Sequence, residues 1–193
     1  KNLVVIYCLL LMSCSFDRVN ERTVPEWTKD AVMYEVNIRQ FTPEGTFAAF
    51  TKHLPRLKEL GVDIIWFMPI HPIGEENRKG SLGSYYSVKD YQAINPEFGT
   101  IEEFNTLVKQ IHEMGMKVII DWVANHSAFD NVWTEDGNQD WYTLDSLGKL
   151  QPPIGTDWWD VADLNYDNLD MQDAMIESMK FWLKTSDIDG FRC

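Results

Sequence analysis

The chain has 193 residues, of which 45% are hydrophobic, so it is long enough to bury the core of one ordinary domain. Its 30 acidic and 17 basic residues give a net charge of -13 at pH 7. A surface this acidic repels phosphate backbones and anionic lipids, which argues against a nucleic-acid-binding protein. The three cysteines have neither a metal-binding spacing nor the spacing of a disulfide framework.

The first residues have the pattern of an export signal. Residues 3–12 form an almost wholly apolar run, too short for a bilayer span, which takes about 20 residues. The run ends in Leu-Met-Ser-Cys at Cys14, which resembles a bacterial lipobox; the alternative is an ordinary signal peptide with an incidental cysteine. We therefore predict a signal peptide with a lipobox at 1–14 and a polar tether at 15–26. The protein would be exported to the cell surface or periplasm, with membrane contact only through a lipid on Cys14 that anchors it to the outer membrane.

The chain from residue 27 onward begins with a predicted strand and helix. Residues 31–41 place apolar side chains at every second position, which predicts a strand. Residues 46–60 have apolar side chains at helical spacing, and Gly61 is expected to cap that helix. Because Pro55 lies inside the segment, we expect a kink or a restart there.

Three further strands and two helices are predicted after this point. Apolar runs at 63–68 and 117–122 are typical of strands covered on both faces, and 188–191 predicts a short last strand. Residues 100–114 open with a capping box, and a second helix is expected over 170–184, with Met171, Met175, Met179 and Trp182 buried. This order calls for a parallel sheet, either a small open sheet or half of an eight-stranded barrel.

Polar and aromatic side chains follow the ends of the predicted strands, where parallel sheets bind their ligands. Tyr86 lies among several tyrosines in the loop after the second strand, and such rings stack well on sugars or pack within the loop. Asp121, Asn125 and His126 follow the third strand, where they could bind a polyol or a metal or form a loop network. The loop behind them exceeds forty residues, which is unusually long for a structureless connection.

Arg192 and a pair of tryptophans are further candidates. A guanidinium on the last strand would keep a neighbouring carboxylate ionised, although Arg192 could equally be a structural ion-pair partner. Trp158 and Trp159 could extend a sugar-binding track or pack the long loop. Because neighbouring residues of a strand face opposite ways, at most one of the two is expected to contact a substrate.

Together these segments resemble glycoside hydrolase family 13, the α-amylase family. Asp-Trp-Val-Ala-Asn-His at 121–126 and Asp-Gly-Phe-Arg-Cys at 189–193 resemble its first two signature regions. Val-Ala-Asp-Leu-Asn at 161–165 resembles a further short motif. The resemblance covers about residues 27–193 and implies an α/β fold, a (β/α)8 TIM barrel. About the first four β/α units would be present, with a long protruding loop after the third strand.

The resemblance also implies roles for individual residues. Tyr86 would be the aromatic platform for the sugar whose bond is cleaved, and His126 would bind hydroxyls of the same sugar. Arg192 would orient and ionise the nucleophile, while Asp121 and Asn125 would shape the site.

No cofactor is required by this resemblance, but a structural calcium ion is an option. In calcium-binding relatives the positions of Asn125 and Asp163 supply oxygens to the ion, and Ca²⁺ prefers such ligands.

The resemblance implies retaining hydrolysis of α-glucosidic bonds in starch- or maltodextrin-type glucans. Two carboxyl groups about 5–5.5 Å apart would act as nucleophile and acid/base. The family's nucleophile is the Asp directly after the position of Cys193, and its acid/base comes from a later strand, so the chain by itself is expected to be insoluble or unfolded, and inactive. A transglycosylase or isomerase of the same family and a non-catalytic glycan-binding barrel remain as alternatives.

Overall fold

The computed structural model describes residues 24–193, which fall into two compact units. The described part of the first unit, up to Asp30, contains one 3-10 turn at Glu26–Thr28. The second unit, from Ala31 to Cys193, contains the sheets and α-helices described below. The predicted signal peptide with Cys14, and most of the predicted tether, lie outside the described residues. Within 24–193, no helix combines the length and the apolar character that a bilayer span requires.

Residues 24–193 form six strands and six α-helices. The strands are β1 (Met33–Val36), β2 (Ile64–Phe67), β3 (Lys117–Asp121), β4 (His126–Ser127), β5 (Ala162–Asp163) and β6 (Gly190–Arg192). The helices are α1 (Ile38–Phe41), α2 (Phe47–Thr51), α3 (Leu54–Glu59), α4 (Ile101–Glu113), α5 (Val132–Glu135) and α6 (Leu169–Thr185). Strands β1-β2-β3-β6 form a parallel sheet in that order, and β4 pairs with β5 antiparallel. The predicted α/β class and parallel sheet are confirmed.

The first strand is shorter than predicted. It ends at Val36, and Ile38–Phe41 forms the single turn of α1, with the Gln40 N–H bonded to the Asn37 carbonyl. The prediction of a strand through residue 41 is therefore wrong beyond Val36. Ile38 is only 3% exposed, so a helical turn buries the same side chain that the alternating pattern marked. The apolar pattern alone does not distinguish the two conformations over so short a stretch.

Pro55 divides the predicted helix 46–60 into α2 and α3, which confirms the expected restart. It lies in the first turn of α3, where its missing N–H removes no helical hydrogen bond. Gly61 follows with φ 88°, a left-handed conformation that favours glycine, and caps the helix as predicted. The Val62 N–H then bonds back to the Leu57 carbonyl.

The two long helices follow their predicted segments closely. At the start of α4, Thr100 Oγ1 accepts from the Glu103 N–H and the Glu103 carboxylate accepts from the Thr100 N–H, which confirms the capping box. In α6 the buried positions are Met171, Met175, Ser178 and Trp182. Met179, predicted as buried, is only partly so. At helical spacing the residues that face the core are 171, 175, 178 and 182, so residue 179 lies at the edge of the buried face.

The register of the parallel strands sorts side chains onto two faces. One row packs against the helices and is fully buried, and it consists of Val36, Phe67 and Ile120. The neighbouring row lies on the opposite face and consists of Glu35, Trp66 and Ile119. Asp121 and Arg192 are register partners one row further toward the carboxyl ends of the strands, on this same face. The fold therefore places a carboxylate and a guanidinium side by side where a parallel sheet binds its ligands.

The long loop after β3 is a folded segment rather than a structureless connection. It contains the β4-β5 pair and α5, and an isolated bridge joins Tyr142 to Leu164. Tyr142 is 1% exposed, and its hydroxyl lies 2.8 Å from Ser127 Oγ. The loop thus has its own buried contacts and holds its side chains in fixed positions near the end of β3.

Candidate active site

Asp121, the last residue of β3, is bonded to two other predicted site residues. Its side chain is 2% exposed. The Tyr86 hydroxyl donates to Asp121 Oδ2 at 3.2 Å, and Arg192 Nη1 lies 3.2 Å from Oδ1 and 3.3 Å from Oδ2. A carboxylate this deeply buried requires such partners. The predicted convergence of these residues at one edge of the sheet is therefore observed.

Tyr86 remains a neutral hydrogen-bond donor at this position. Burial raises the pKa of Tyr86 to about 12, and the charge of Asp121 and the hydrogen bond to it act in the same direction, against the effect of Arg192. The Tyr86 N–H is held by Ser84 Oγ at 3.2 Å. The ring thus stands in the loop after β2 with its hydroxyl fixed on Asp121.

Arg192 is held from two sides. The hydrogen bond to Asp121 raises the pKa of Arg192, so it stays charged. Its guanidinium carbon lies 4.8 Å from the centre of the Trp66 ring, and its side chain is 47% exposed. The pairing with Asp121 is the structural ion pair that the sequence left open as an alternative. The contact with Trp66 was not predicted.

His126 lies on β4, paired with Asp163 of β5, and is 8% exposed. Burial lowers its pKa, opposed by Asp160, the Tyr86 carbonyl and Asp163, so the ring is neutral near pH 7. The side-chain nitrogen of Asn125 lies 3.2 Å from His126 Nδ1. With that amide as donor, the ring proton sits on Nε2.

Two adjoining cavities surround Tyr86. One of about 250 Å³ is lined by residues that include Tyr86, Asp121, Asn125 and Arg192. The other, of about 350 Å³, is lined by Lys79, Ser84, Tyr86, His126, Trp158, Asp160 and Val161. Tyr86 lines both cavities. All the predicted substrate-binding residues border one or both of them.

Trp158 and Trp159 differ from their prediction in one respect. Neither lies in a strand, so the argument that they face opposite ways does not apply. They are 44% and 53% exposed, respectively. The Trp158 ring lies 5.5 Å from the His126 ring, and the Trp159 ring lies 5.3 Å from Lys79 Nζ. Trp158 therefore lines the larger cavity, whereas Trp159 contacts Lys79, which also lines it.

An ion pair between Lys79 and Asp160 belongs to the site and was missed by the sequence analysis. The Lys79 Nζ to Asp160 Oδ1 distance is 2.9 Å, and the Asp160 side chain is 5% exposed. The sequence held one signal of it, namely that Asp160 directly precedes the Val-Ala-Asp-Leu-Asn motif. No sequence feature linked it to Lys79.

Of the two predicted calcium ligands, Asn125 directly precedes β4, and Asp163 lies on β5, where it pairs with His126. The Asn125 carbonyl accepts from the Leu164 N–H, next to Asp163. Calcium takes 6–8 oxygen ligands. Within residues 24–193, no group of three or more His, Cys, Asp or Glu side chains is placed to hold a metal ion. The two predicted side chains supply fewer oxygens than a calcium ion takes, and the ion remains a prediction from which we derive no step.

Comparisons with known proteins agree with this geometry. Residues 11–193 match the family described as "Alpha amylase, catalytic domain". The trehalose synthase of Pimelobacter sp. (strain R48) is 35% identical over a gapped alignment of 203 residues. The alignment covers 87% of this chain and 34% of that protein. The crystal structure of an α-amylase from Lactobacillus plantarum superposes with a TM-score of 0.82 at 42% identity, over 86% of this chain and 39% of that one. The crystal structure of a noncanonic maltogenic α-amylase from Thermotoga neapolitana superposes with a TM-score of 0.79 at 38% identity, over 84% of this chain and 38% of that one.

The chain spans little more than a third of the length of these proteins. Its four parallel strands with connecting helices make a partial, TIM-barrel-like α/β unit. The chain therefore belongs to the α-amylase family, and it forms part of that family's catalytic domain.

Proposed function

We propose that the full-length gene product hydrolyses α-glucosidic bonds in starch- or maltodextrin-type glucans with retention of configuration. The observation that carries this proposal is the buried Asp121 carboxylate, bound by Tyr86 and Arg192 at the carboxyl edge of the parallel sheet. Membership of the α-amylase family supports the reaction class.

In this proposal each site residue has one task. The Tyr86 ring packs against the apolar face of the sugar whose bond is broken. His126 forms a hydrogen bond with a hydroxyl of the same sugar, and Trp158 borders the path of the glucan. Asp121 holds Tyr86 and Arg192 in place, and Asn125 holds the His126 ring. Arg192 orients the carboxylate nucleophile, which the family resemblance places directly after Cys193.

The chemistry follows the two steps of a retaining glycosidase. The nucleophile attacks the anomeric carbon while a carboxylic acid protonates the departing oxygen, which leaves a glycosyl-enzyme ester. Water, deprotonated by the same acid/base group, then displaces the nucleophile. Arg192 favours the ionised form of the nucleophile, because an adjacent positive charge lowers a carboxyl pKa.

The test is to incubate the full-length gene product with maltopentaose and to record the anomeric proton signals of the first product by NMR. We expect the α-anomer to form first and then to mutarotate. The β-anomer as first product would overturn the retaining mechanism. Binding of maltopentaose without any cleavage would instead favour the non-catalytic glycan-binding barrel. The joint presence of Tyr86, His126 and Arg192 in one site argues against that alternative.

A same-family transglycosylase or isomerase is the second candidate. It is favoured by the 35% identity to a trehalose synthase. Both reactions share one glycosyl intermediate, and they differ in whether water or a sugar hydroxyl accepts the glycosyl group. Product analysis with maltose alone separates them: glucose as sole product indicates hydrolysis, whereas a new disaccharide or a longer oligosaccharide indicates transfer.

We also propose that the protein is exported and lipid-anchored through Cys14 to the outer membrane, at the cell surface or in the periplasm. The support is the apolar run before Cys14 and its lipobox-like ending. Expression with radiolabelled palmitate should label the wild type and the matched control Cys8→Ser, but not Cys14→Ser. Equal labelling of Cys14→Ser would contradict the anchor.

A further inference from the structure

A cavity outside the candidate active site lies where α4 and α6 end. It is lined by residues of α4 and by 185–187 at the end of α6, and its volume is about 490 Å³. Since α4 leads into β3 and α6 leads into β6, this cavity lies toward the amino ends of the strands, opposite Asp121. It shares no lining residue with the two cavities around Tyr86. We call it the helix-end cavity.

Two residues that line the helix-end cavity have a buried side-chain atom without a hydrogen-bond partner. Ser186 is 3% exposed, and its Oγ atom has no such partner within residues 24–193. Asn105 Oδ1 is buried and equally unpaired in this part of the chain. Buried polar atoms in folded proteins are almost always hydrogen-bonded. An amide oxygen only accepts and a hydroxyl can accept as well, so a ligand with hydrogen-bond donors would satisfy both atoms.

The charges around the helix-end cavity favour a cation. α4 and α6 are 13 and 17 residues long, and both direct the negative end of their dipoles toward it. Lys109 Nζ lies 3.9 Å from Glu113 Oε1, so these two lining charges offset each other. His112 directs Nε2 to Asp189 Oδ2 at 2.7 Å. Asp187 is 96% exposed, and its Oδ2 atom lies 4.0 Å from His112 Nδ1, beyond hydrogen-bonding distance, so its carboxylate remains available to a ligand.

The size of the cavity and its few carboxylates indicate an organic cation rather than a metal ion. The volume lies within the range of roughly 300–1,000 Å³ for small-molecule sites. No group of three or more His, Cys, Asp or Glu side chains among residues 24–193 is placed to hold a metal ion. A primary ammonium group carries three N–H donors and a positive charge, so it matches the unpaired acceptors and the carboxylate together.

We propose that the helix-end cavity binds a small primary ammonium ion. Its N–H groups donate to Ser186 Oγ and Asn105 Oδ1, and its charge faces Asp187 and the ends of the two helices. The site is separate from the candidate active site, and the inference does not depend on the proposed function.

The first experiment is a calorimetric titration of the full-length gene product with n-butylammonium chloride, in phosphate buffer because Tris is itself a primary amine. Two matched probes are titrated at the same ionic strength: 1-butanol keeps the alkyl chain without the charge, and tetramethylammonium keeps the charge without an N–H donor. We expect n-butylammonium to bind about tenfold more tightly than either probe, which is the effect of a hydrogen bond between charged groups. Binding no tighter than that of one of the two probes would overturn the proposal.

A charge variant locates the bound ion. Asp187→Asn removes the charge, and asparagine tolerates the left-handed backbone at this position, where φ is 53°. Asp136→Asn, at an exposed aspartate that ends α5, is the matched control. Asp187→Asn should weaken n-butylammonium binding about tenfold, and Asp136→Asn should leave it unchanged. Equal affinity of the wild type and Asp187→Asn, or displacement of the ion by maltopentaose, would place it elsewhere and contradict the proposal.

Ser186→Ala separates ligand binding from a structural role. Because Ser186 Oγ has no partner within residues 24–193, its removal should leave the urea midpoint unchanged or raise it. The same variant should weaken n-butylammonium binding about fivefold, through the loss of one hydrogen bond. A lower urea midpoint with unchanged binding would show that the hydroxyl serves the fold and not a ligand.

Discussion

The guanidinium of Arg192 lies over the ring of Trp66 while its Nη1 atom contacts the buried carboxylate of Asp121. Trp66 is on β2 and Arg192 on β6, with β3 between them. A side chain two strands away therefore helps to set the position of the arginine. Because a cation on an aromatic face is stabilised by the ring quadrupole, Trp66 favours the orientation that keeps Arg192 on Asp121.

Replacing Trp66 should impair catalysis through Arg192. A cation–π contact contributes about 0.5–2 kcal/mol, so Trp66→Leu should lower kcat/KM by roughly 2- to 30-fold. Trp66→Phe keeps an aromatic face and should lose less. The comparison is made in the full-length gene product with maltopentaose. A larger loss in Trp66→Phe than in Trp66→Leu would contradict the role of the ring.

Arg192→Lys should lower kcat strongly even though the charge is kept. A lysine ammonium cannot reproduce the planar group that contacts Asp121 and stacks on Trp66 at once. Loss of a hydrogen bond to a charged group costs about 1.5–3 kcal/mol, which corresponds to a drop in kcat of about 10- to 160-fold. Arg56→Lys, at an exposed position of α3, is the matched control and should retain wild-type kcat. An unchanged kcat in Arg192→Lys would argue against the role assigned to Arg192.

The sequence could predict that Tyr86, Asp121 and Arg192 follow or end strands whose carboxyl ends converge at one edge of a sheet, but it did not predict their contacts at Asp121. The apolar runs located β2, β3 and β6, and these strands in turn indicated which polar residues lie at or after their ends. The same reasoning failed at Ile38–Phe41, since a single helical turn and a strand both bury Ile38. Pattern-based prediction needs more residues than that stretch provides.

The Lys79–Asp160 pair could not be predicted for a different reason. Each residue lies in a long loop, and neither loop has a periodic pattern that fixes where its side chains point. Their meeting depends on tertiary contacts such as the hydrogen bond from Ser87 to Asp160. The interpretation of Trp158 and Trp159 as strand residues is wrong for the same reason, because no periodic pattern fixes the conformation of their loop.

The loop that carries Tyr86 should be sensitive to a methyl group at Gly83. Gly83 has φ 72°, and a Cβ there would lie 2.6 Å from Ile73 Cγ2, a buried branched side chain that cannot swing away. Gly80 has φ 66° but nothing within 4 Å of its Cβ position, so it is a matched control for backbone strain alone.

We expect Gly80→Ala to lower the free energy of unfolding by about 1–2 kcal/mol and Gly83→Ala by about 2–4 kcal/mol, since overpacking adds to the strain. Gly83→Ala should also raise KM, because Tyr86 follows three residues later. Urea denaturation and steady-state kinetics of the full-length gene product measure the two effects. Equal destabilisation by the two substitutions would show that Ile73 accommodates the methyl group.

His71 should make the protein less stable as the pH falls below about 6.5. Its ring is 1% exposed, packs against Trp122 and Trp182, and lies with Nδ1 3.2 Å from the Ala93 carbonyl. Burial lowers the pKa of His71 from 6.5 to about 4, only partly opposed by that carbonyl. Between these pH values the unfolded chain binds a proton that the folded chain does not. The free energy of unfolding should therefore decrease as the pH falls through this window.

The pKa difference corresponds to a loss of about 3 kcal/mol by pH 4, at about 1.36 kcal/mol per pH unit. Asp130 and Asp189, whose pKa values are lowered, lose their contribution only at more acidic pH, below the ordinary value of 3.8. His71→Asn keeps a neutral donor for Ala93 and should flatten the pH dependence between 6.5 and 4, with a remainder from His126, whose pKa burial also lowers. Urea midpoints followed by tryptophan fluorescence at each pH measure the slope. An unaltered slope in His71→Asn would mean that the folded protein protonates His71 without cost.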